Sequence, residues 1–365
     1  MQTLTRQNLE DLLLGAVILG AGGGGEITEG RAMIDTALAA GKTFDLVSID
    51  EVPDDALICT PYLLGAITPI NAEEEALYAG LSESDTDPLL QAYAEFQDHL
   101  GTEFYGTTPC ELGGSNTVAA FFPAVMHGHK IIDADPAGRA VPEITHSTYY
   151  LAGLPAAPIY AVNHFGESFL IDKVKDDQRA ETLVRAISQV SRNTVAAIDH
   201  ALPMRQLRDV LIPGTITKAM RLGEVCRNAI ENGHDSAAKI ATAGNGVVVF
   251  SGRVSSVTYK TDQGFTVGEI TLTDSAQSMR ISVKNENMAC WLNGKTLATV
   301  PDLICMFDSE NGHPVANPDV IKGQSIAVVV LPAPVQFMSP LGLSIFGPKY
   351  AGIDSPFVSP LAIAN

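Results

Sequence analysis

Basic residues are scarce in this chain. Lys and Arg number 23 against 42 Asp and Glu, a formal charge of -19, with the acidic residues spread along the chain and not gathered in a tail. Such a surface repels phosphate backbones and anionic lipid, so neither nucleic acid nor a membrane is an expected partner. Cysteine is sparse too: Cys59, Cys110, Cys226, Cys290 and Cys305 are odd in number, far apart and without a CxxC spacing. They read as buried thiols in a reducing compartment, which makes the cytoplasm the expected location. The amino terminus lacks a bilayer-spanning run, because the apolar stretch Leu12 to Leu19 follows Glu10 and Asp11 and stops at Gly22 to Gly25. The histidines supply no ligand set; His127 and His129 share a strand-like spacing with no third ligand near in sequence, which leaves only carboxylates from separate loops to hold a metal. No motif specifies a cofactor.

What the chain has is apolar bulk. Hydrophobic residues make up 46% and charged ones 18% of 365 residues. At about 100 to 200 residues per domain that length predicts two domains, and the apolar composition favours a homo-oligomer. Residues 5–19 have Leu9, Leu12, Leu13, Ala16 and Val17 at helical spacing, and a second helix is expected over 27–40. The glycines between them, Gly22 to Gly25, are either a flexible connection or a loop whose bare amides face an anion or carboxylate. No Lys-Ser/Thr pair follows, so this is not a nucleotide loop. Glu26 reads equally as a helix cap or a pocket carboxylate.

From residue 41 to about 170, short apolar strands alternate with helices, which predicts an α/β layered domain with a mainly parallel sheet. Phe44 to Ile49 and Ala56 to Cys59 are strands, the second ending at Thr60-Pro61-Tyr62, and Glu73 to Glu75 open a helix whose dipole they complement. Asn163-His164 ends a further strand; His164 is a base, a ligand or simply a hydrogen-bonded strand end. Residues 181–200 read as one long helix and 216–231 as another. Beyond Asn232-Gly233 six strand-like segments follow, including 279–289, separated by tight turns such as Leu292-Asn293-Gly294-Lys295, which predicts a mostly-β barrel or sandwich. The whole is therefore an α+β two-domain protein, residues 1–170 forming the α/β part and 171–365 a helical connector with the β-rich part.

The richest chemistry lies between Glu111 and Glu143. Asp133, Asp135, Arg139 and Glu143 fall within a dozen residues broken by Pro136, Gly138 and Pro142, so no regular helix or long strand can space them apart. This is either a turn fixed by internal ion pairs or part of a pocket at the carboxyl edge of a sheet. Glu111-Leu112-Gly113-Gly114-Ser115-Asn116 supplies a second polar loop on the other side of an apolar segment, which favours the pocket. In the second half, Asn285-Glu286-Asn287 lies in an apolar context, so it either pins the β domain to its neighbour or lines a polar pocket.

Gly22 to Gly25, the Glu111 to Asn116 loop, Asp133-Ala134-Asp135-Pro136-Ala137-Gly138-Arg139-Ala140-Val141-Pro142-Glu143, Asn285-Glu286-Asn287, Val300 to Ile304 and Gly347-Pro348 occur in one order along the chain. In that order they resemble the S-methyl thiohydantoin desulfurase family, over nearly the whole length. Pro136-Ala137 stands where members of the family usually have Gly-Met. The resemblance implies hydrolytic removal of methanethiol from C2 of an S-methylated thiohydantoin ring, a small-molecule substrate, and a hydantoinase-type partner. The candidate catalytic residues are Glu111, Asp133, Asp135, Arg139 and Glu143. Glu111 or Asp133 would activate water, and Arg139 or the glycine amides would hold a ring oxygen. Candidate substrate contacts are Gly23, Gly24, Gly25, Thr60, Gly114, Asn116, Asn285 and Glu286. The alternative is a non-catalytic binding or regulatory subunit for a hydantoinase-type enzyme.

Overall fold

The computed structural model describes residues 1–66 and 70–363. Its first half holds β1 (Gln2–Thr3), α1 (Arg6–Gly20), α2 (Ile27–Ala39), β2 (Asp45–Val47), β3 (Leu57–Gly65), α3 (Ala72–Ala76) and α4 (Pro88–Leu100). After these come β4 (Gly106–Thr107), α5 (Asn116–His127), β5 (Lys130–Ile132), β6 (Ala134–Asp135), α6 (Thr148–Leu151), β7 (Ile159–Val162) and β8 (Ser168–Ile171). Then follow α7 (Asp177–Gln189), β9 (Thr194–Pro203), α8 (Met204–Leu207), β10 (Ile212–Pro213), α9 (Thr215–Glu231) and α10 (Ser236–Ala243).

Eight of these strands form one sheet in the order β1-β2-β5-β4-β3-β9-β7-β8. The β2-β5, β5-β4 and β4-β3 junctions are parallel, while β1-β2, β3-β9, β9-β7 and β7-β8 are antiparallel. The sheet is thus mixed, its parallel part confined to the strands that helices α4 and α5 separate in sequence. The β7-β8 pair is a hairpin, and short connections give antiparallel neighbours. Two sequence expectations change here. Strand β3 runs on through Pro61 to Gly65 where a turn was expected, pairing with β9 along its whole length. The long helix expected over 181–200 stops at Gln189, and 194–203 is a strand in the middle of the sheet. Arg192 and Asn193 both take left-handed φ values, 55° and 61°, which ends the helix, and the apolar run Val195 to Ile198 is buried on both faces as a central strand is.

The second half is one antiparallel eight-stranded sheet, β11 (Val247–Asp262), β12 (Phe265–Thr273), β13 (Ser278–Lys284), β14 (Glu286–Leu292), β15 (Lys295–Thr299), β16 (Leu303–Asp308), β17 (Pro314–Val315) and β18 (Ser325–Leu331), followed by α11 (Pro340–Ile345). Its order is β15-β14-β13-β12-β11-β18-β16-β17. It curls around its own apolar core, with Ile270, Ile281, Cys290, Ile304 and Val328 inward, but the ladder of hydrogen bonds does not close from β15 to β17. The segment expected as one strand over 279–289 is two, because Asn285 adopts φ 58° and turns the chain between β13 and β14. The Gln263-Gly264 and Asn293-Gly294 pairs, all with positive φ, make the tight hairpins expected of them.

Helices α1, α9 and α10 lie between the two sheets and share one apolar core with them: Leu9, Leu12 and Leu13 meet Leu222 and Ile240 on one side and Leu303, Cys305 and Phe307 of β16 on the other. Helix α1 begins at a capping box in which Thr5 and Asn8 satisfy each other's amides. Contact between α1 and α9 is made at two glycines. A Cβ at Gly15 would stand 1.7 Å from Ala219 O, and one at Gly223 1.7 Å from Asp11 O, so the backbones touch there. Asp11, buried beside this crossing, pairs with Arg227 (Nε to Oδ1 2.7 Å). Replacing Gly223 by Ala is expected to force the helices apart and cost about 1–3 kcal/mol or more, the range of overpacked cores, seen as a lower urea midpoint.

Candidate functional site

A cavity of about 490 Å³ opens where the glycine turn after α1, the carboxyl end of β3, the Glu111 loop, residues 141–149, strand β9 and the first residues of β14 come together. That size is ordinary for a small-molecule site. Gly24, Gly25, Thr60, Glu111, Asn116, Glu143, Asn285 and Glu286 all line it. Asp133, Asp135, Arg139, Gly23 and Gly114 do not, and each is held elsewhere for a visible reason.

Asp133 caps helix α9: its Oδ1 accepts from Thr217 N at 3.0 Å and its Oδ2 from the Thr217 hydroxyl at 2.6 Å. Asp135 is fully buried and folds the loop on itself, Oδ2 accepting from the amides of Ala137 (3.0 Å) and Gly138 (2.7 Å). Arg139, also fully buried, crosses to the second half. Its Nη1 donates to the carbonyls of Pro301 (2.5 Å) and Asp302 (2.9 Å), its Nε donates to Ala140 O, and its guanidinium lies 5.0 Å from the Phe346 ring centre. Burial pulls its pKa down to about 10, so it remains charged at neutral pH. It is a bridge between halves and touches no ligand space. The glycines are packing surfaces: a Cβ at Gly23 would stand 1.9 Å from Glu286 Oε1, and one at Gly114 2.8 Å from Gly25 O. The Gly23 amide donates to Gly20 O, and Gly24 O accepts the amides of Ser115 and Asn116, so the turn fixes the start of α5.

Within the cavity wall, Asn116 is wholly engaged, with Oδ1 accepting from Leu63 N (2.8 Å) and Nδ2 donating to Leu63 O (3.1 Å) and Glu111 Oε1 (2.7 Å). Glu111 Oε2 accepts from Val141 N at 2.6 Å. Burial outweighs these donors and lifts its pKa to about 7. Glu143 is held by Lys284 Nζ (3.0 Å) and the Tyr350 hydroxyl (2.6 Å). The Thr60 hydroxyl bonds Tyr149 OH at 3.0 Å, and Asn285 Oδ1 accepts from Thr266 N at 2.8 Å.

Sequence reasoning missed the most reactive pair on this wall. Asp199 and His200 lie on β9, buried, with His200 Nδ1 2.7 Å from Asp199 Oδ1. A carboxylate only accepts, so Nδ1 carries a proton, while Nε2 is buried with no partner among the described residues. Tyr62 OH donates to Asp199 Oδ2 at 3.0 Å, and the Tyr149 ring stacks on His200 with centroids 4.0 Å apart, so the imidazole cannot swing away. Residue 200 takes φ 42°, a strained backbone for histidine that aims the ring off the sheet. The available signal was the polar break Ser191-Arg192-Asn193 before a β-branched run, which marks a strand start. Cys110, half-buried, Glu181 and Arg185 complete the wall. Arg185 binds Glu181 Oε1 (2.6 Å), Gly264 O (2.7 Å) and Pro142 O (3.0 Å). His164 is exposed, away from this wall, while His127 and His129 bond Pro123 O and Tyr93 OH. Among the described residues no group of three or more His, Cys, Asp or Glu is placed to hold a metal ion, and no helix is long and apolar enough to cross a membrane.

An α+β protein with a small acidic cavity where its two halves meet is thus defined by fold and site together. The chain belongs to the S-Me-THD-like family: residues 7–173 match the N-terminal domain of that family and residues 175–360 the C-terminal domain. Among solved structures it is similar to a protein from Chromobacterium violaceum determined by X-ray crystallography, with a TM-score of 0.78 and 24% identity, covering 98% of this chain and 99% of that one. That likeness extends the fold to a second sequence. No curated protein matches the chain.

Several buried carboxyls bind protons more tightly folded than unfolded. Burial raises both Glu111 and Asp135 to about 7, from ordinary values of 4.5 and 3.8, and holds Glu286 well above its ordinary value. Above their unfolded values the folded state holds more protons than the unfolded state, so stability must fall as pH rises. The thermal midpoint is expected to drop from pH 5 through 7.5 and not to recover above it, and Asp135→Asn, which keeps both accepted bonds, should flatten part of that slope. A midpoint rising through this window would show that the carboxyls are ionised in the fold.

Proposed function

We propose that the chain is a hydrolase that removes methanethiol from S-methylated thiohydantoin rings. The observation that carries this reading is the Asp199–His200 pair, with Nε2 unpartnered among the described residues, on the wall of a cavity that also presents the buried carboxyls of Glu111, Glu181 and Glu286. Membership of the S-Me-THD-like family supports this substrate class. In the reaction His200 Nε2 takes a proton from water as the oxygen attacks C2. The tetrahedral centre then collapses, the C–S bond breaks, and the proton reaches the departing sulfur. Ring plus water become a hydantoin plus methanethiol. A ring nitrogen must be protonated as C2 is attacked; a neutral carboxyl on the wall can supply that proton and take back the hydroxyl proton of the tetrahedral centre as C2=O forms. Water activation thus moves from the carboxylates expected for it, Glu111 and Asp133, to the imidazole: Glu111 is engaged at both oxygens and Asp133 stands outside the cavity.

The acidic wall suits a neutral or cationic ring and disfavours anions. All five cysteines are free, which supports a place in the reducing cytoplasm. A hydantoinase-type enzyme acting on the product is the partner this reading supports. Purified protein incubated with 2-methylthio-imidazol-4-one is expected to release methanethiol, detected by headspace gas chromatography. His200→Ala should lower kcat by about 10²–10⁴-fold, the usual share of a general base, with an unchanged circular dichroism spectrum. Full activity in that variant removes His200 from the mechanism, and binding of the ring without any thiol release favours the non-catalytic subunit.

A further inference from the structure

Among the described residues Glu286 is the one buried carboxyl on the cavity wall with an unheld oxygen. It is 2% exposed, and its Oε2 has no hydrogen-bond partner among them. The fold builds a seat for it. Asn285, in the left-handed conformation, is locked to Thr266 by bonds in both directions, 2.7 and 2.8 Å, and so fixes the first residue of β14. Gly23 then leaves open the space that the Glu286 side chain fills, since any Cβ there would overlap Oε1. The other buried carboxyls of the wall are committed, Glu111 to Asn116 and Val141, Glu181 to Arg185 and Ile144, Asp199 to Tyr62 and His200, and half-buried Glu143 holds Lys284 and Tyr350 through Oε1.

The charged and titratable groups facing Glu286 are Glu111, Arg139, Arg185 and Tyr350. Arg185 has given its donors to Glu181, Gly264 and Pro142, and the Tyr350 hydroxyl donates to Glu143. Arg139 keeps one nitrogen, Nη2, without a partner, yet it forms no ion pair with Glu286 among the described residues. Burial and the charge of Glu111 therefore hold the Glu286 carboxyl in its protonated form, its pKa far above the carboxylate range.

An S-methylated thiohydantoin presents a matching edge. Its N–C2–N unit is an isothiourea, with one nitrogen bearing hydrogen and the other a lone pair. We propose that Glu286 recognises this edge, passing its proton to the lone-pair nitrogen and holding the resulting cation through charge-assisted N–H···O bonds. The O–H bond of the carboxyl breaks and an N–H bond forms, with no other reactant. The cationic ring is the more electrophilic at C2, and its sulfur the better leaving group, so binding and activation are one event. The class of ligand is thus wider than the substrate: neutral cyclic amidines and acylguanidines share the edge. This inference rests on the functional reading above for its substrate, but not for its binding test.

The test uses 2-iminohydantoin, which carries the same N–C–N edge and no thioether, in calorimetric titrations of the full chain from pH 6 to 9. Wild type is expected to bind with an affinity constant at low pH that falls about tenfold per pH unit once the free carboxyl ionises, because the complex then needs a proton from solvent. Glu286→Gln should bind at least tenfold more weakly at pH 6 and lose that slope. Glu286→Asp, which keeps an acid in the same seat, should bind more weakly but retain the slope. Unchanged affinity and slope in Glu286→Gln overturn the proposal, as does methanethiol release by a wild type that does not bind the probe. Proton-linked binding of the probe without release of methanethiol from the S-methylated ring sustains this inference and overturns the functional reading.

Discussion

Two buried arginines answer to main-chain carbonyls, and much of the molecule follows from that. Arg139 from the first half donates to Pro301 and Asp302 of the second, and Arg185 donates to Gly264 of the β11–β12 hairpin as well as to Pro142. A guanidinium in the dry interior needs acceptors, and carbonyl oxygens of the opposite half supply three of them, Pro301 and Asp302 for Arg139 and Gly264 for Arg185. These bonds fix the two halves against each other without relying on apolar contact alone. Arg185 also pairs with Glu181, and Lys284 with Glu143, while Glu111 and Glu286 have no cation bonded to them among the described residues, and burial drives those two toward the protonated form.

That electrostatic condition gives the wall its chemistry. A protonated carboxyl is a donor, so on the proposed reading Glu286 can protonate the ring, while the imidazole of His200, its other nitrogen tied to Asp199, can accept. Acid and base coexist because their surroundings differ: one set is cut off from cations, the other is hydrogen-bonded to a carboxylate. Close backbone approach serves the same end. Gly24 and Gly113 nearly touch, a Cβ on Gly24 standing 2.3 Å from Gly113 Cα, and this brings the first turn, the Glu111 loop and the seat of Glu286 to one place. The glycine run thus acts through what it leaves empty.

Much of the architecture was legible in the sequence, because it depends on local periodicity and turn chemistry. The helical stripe of α1, the Asn293-Gly294 turn and the change of character after Asn232-Gly233 each rest on a few adjacent residues. The stretch 181–200 was not legible: an apolar run buried on both faces looks alike as helix or strand, and the left-handed pair Arg192-Asn193 that decides between them carries only a weak local signal. The Asp199–His200 pair was lost with it, since both residues were assigned to the wrong element. The split of 279–289 at Asn285 has the same origin. Local pattern shows apolar character there, and the reversal comes from the bonds between Asn285 and Thr266, which are 19 residues apart.

Composition, charge and motif order by themselves determined that this is an acidic α+β protein in two parts, with its polar chemistry concentrated near the Glu111 and Asp133 loops and at Asn285 to Asn287. They could not determine which of those acids face ligand and which seal a turn, because a carboxylate reads the same in sequence whether it caps a helix, as Asp133 does, or stands unpartnered on a cavity wall, as Glu286 does. Only tertiary structure decides that, since protonation state and accessibility are set by neighbours contributed from distant segments: Gly23 beneath Glu286, Val141 and Asn116 on Glu111, Tyr62 behind Asp199.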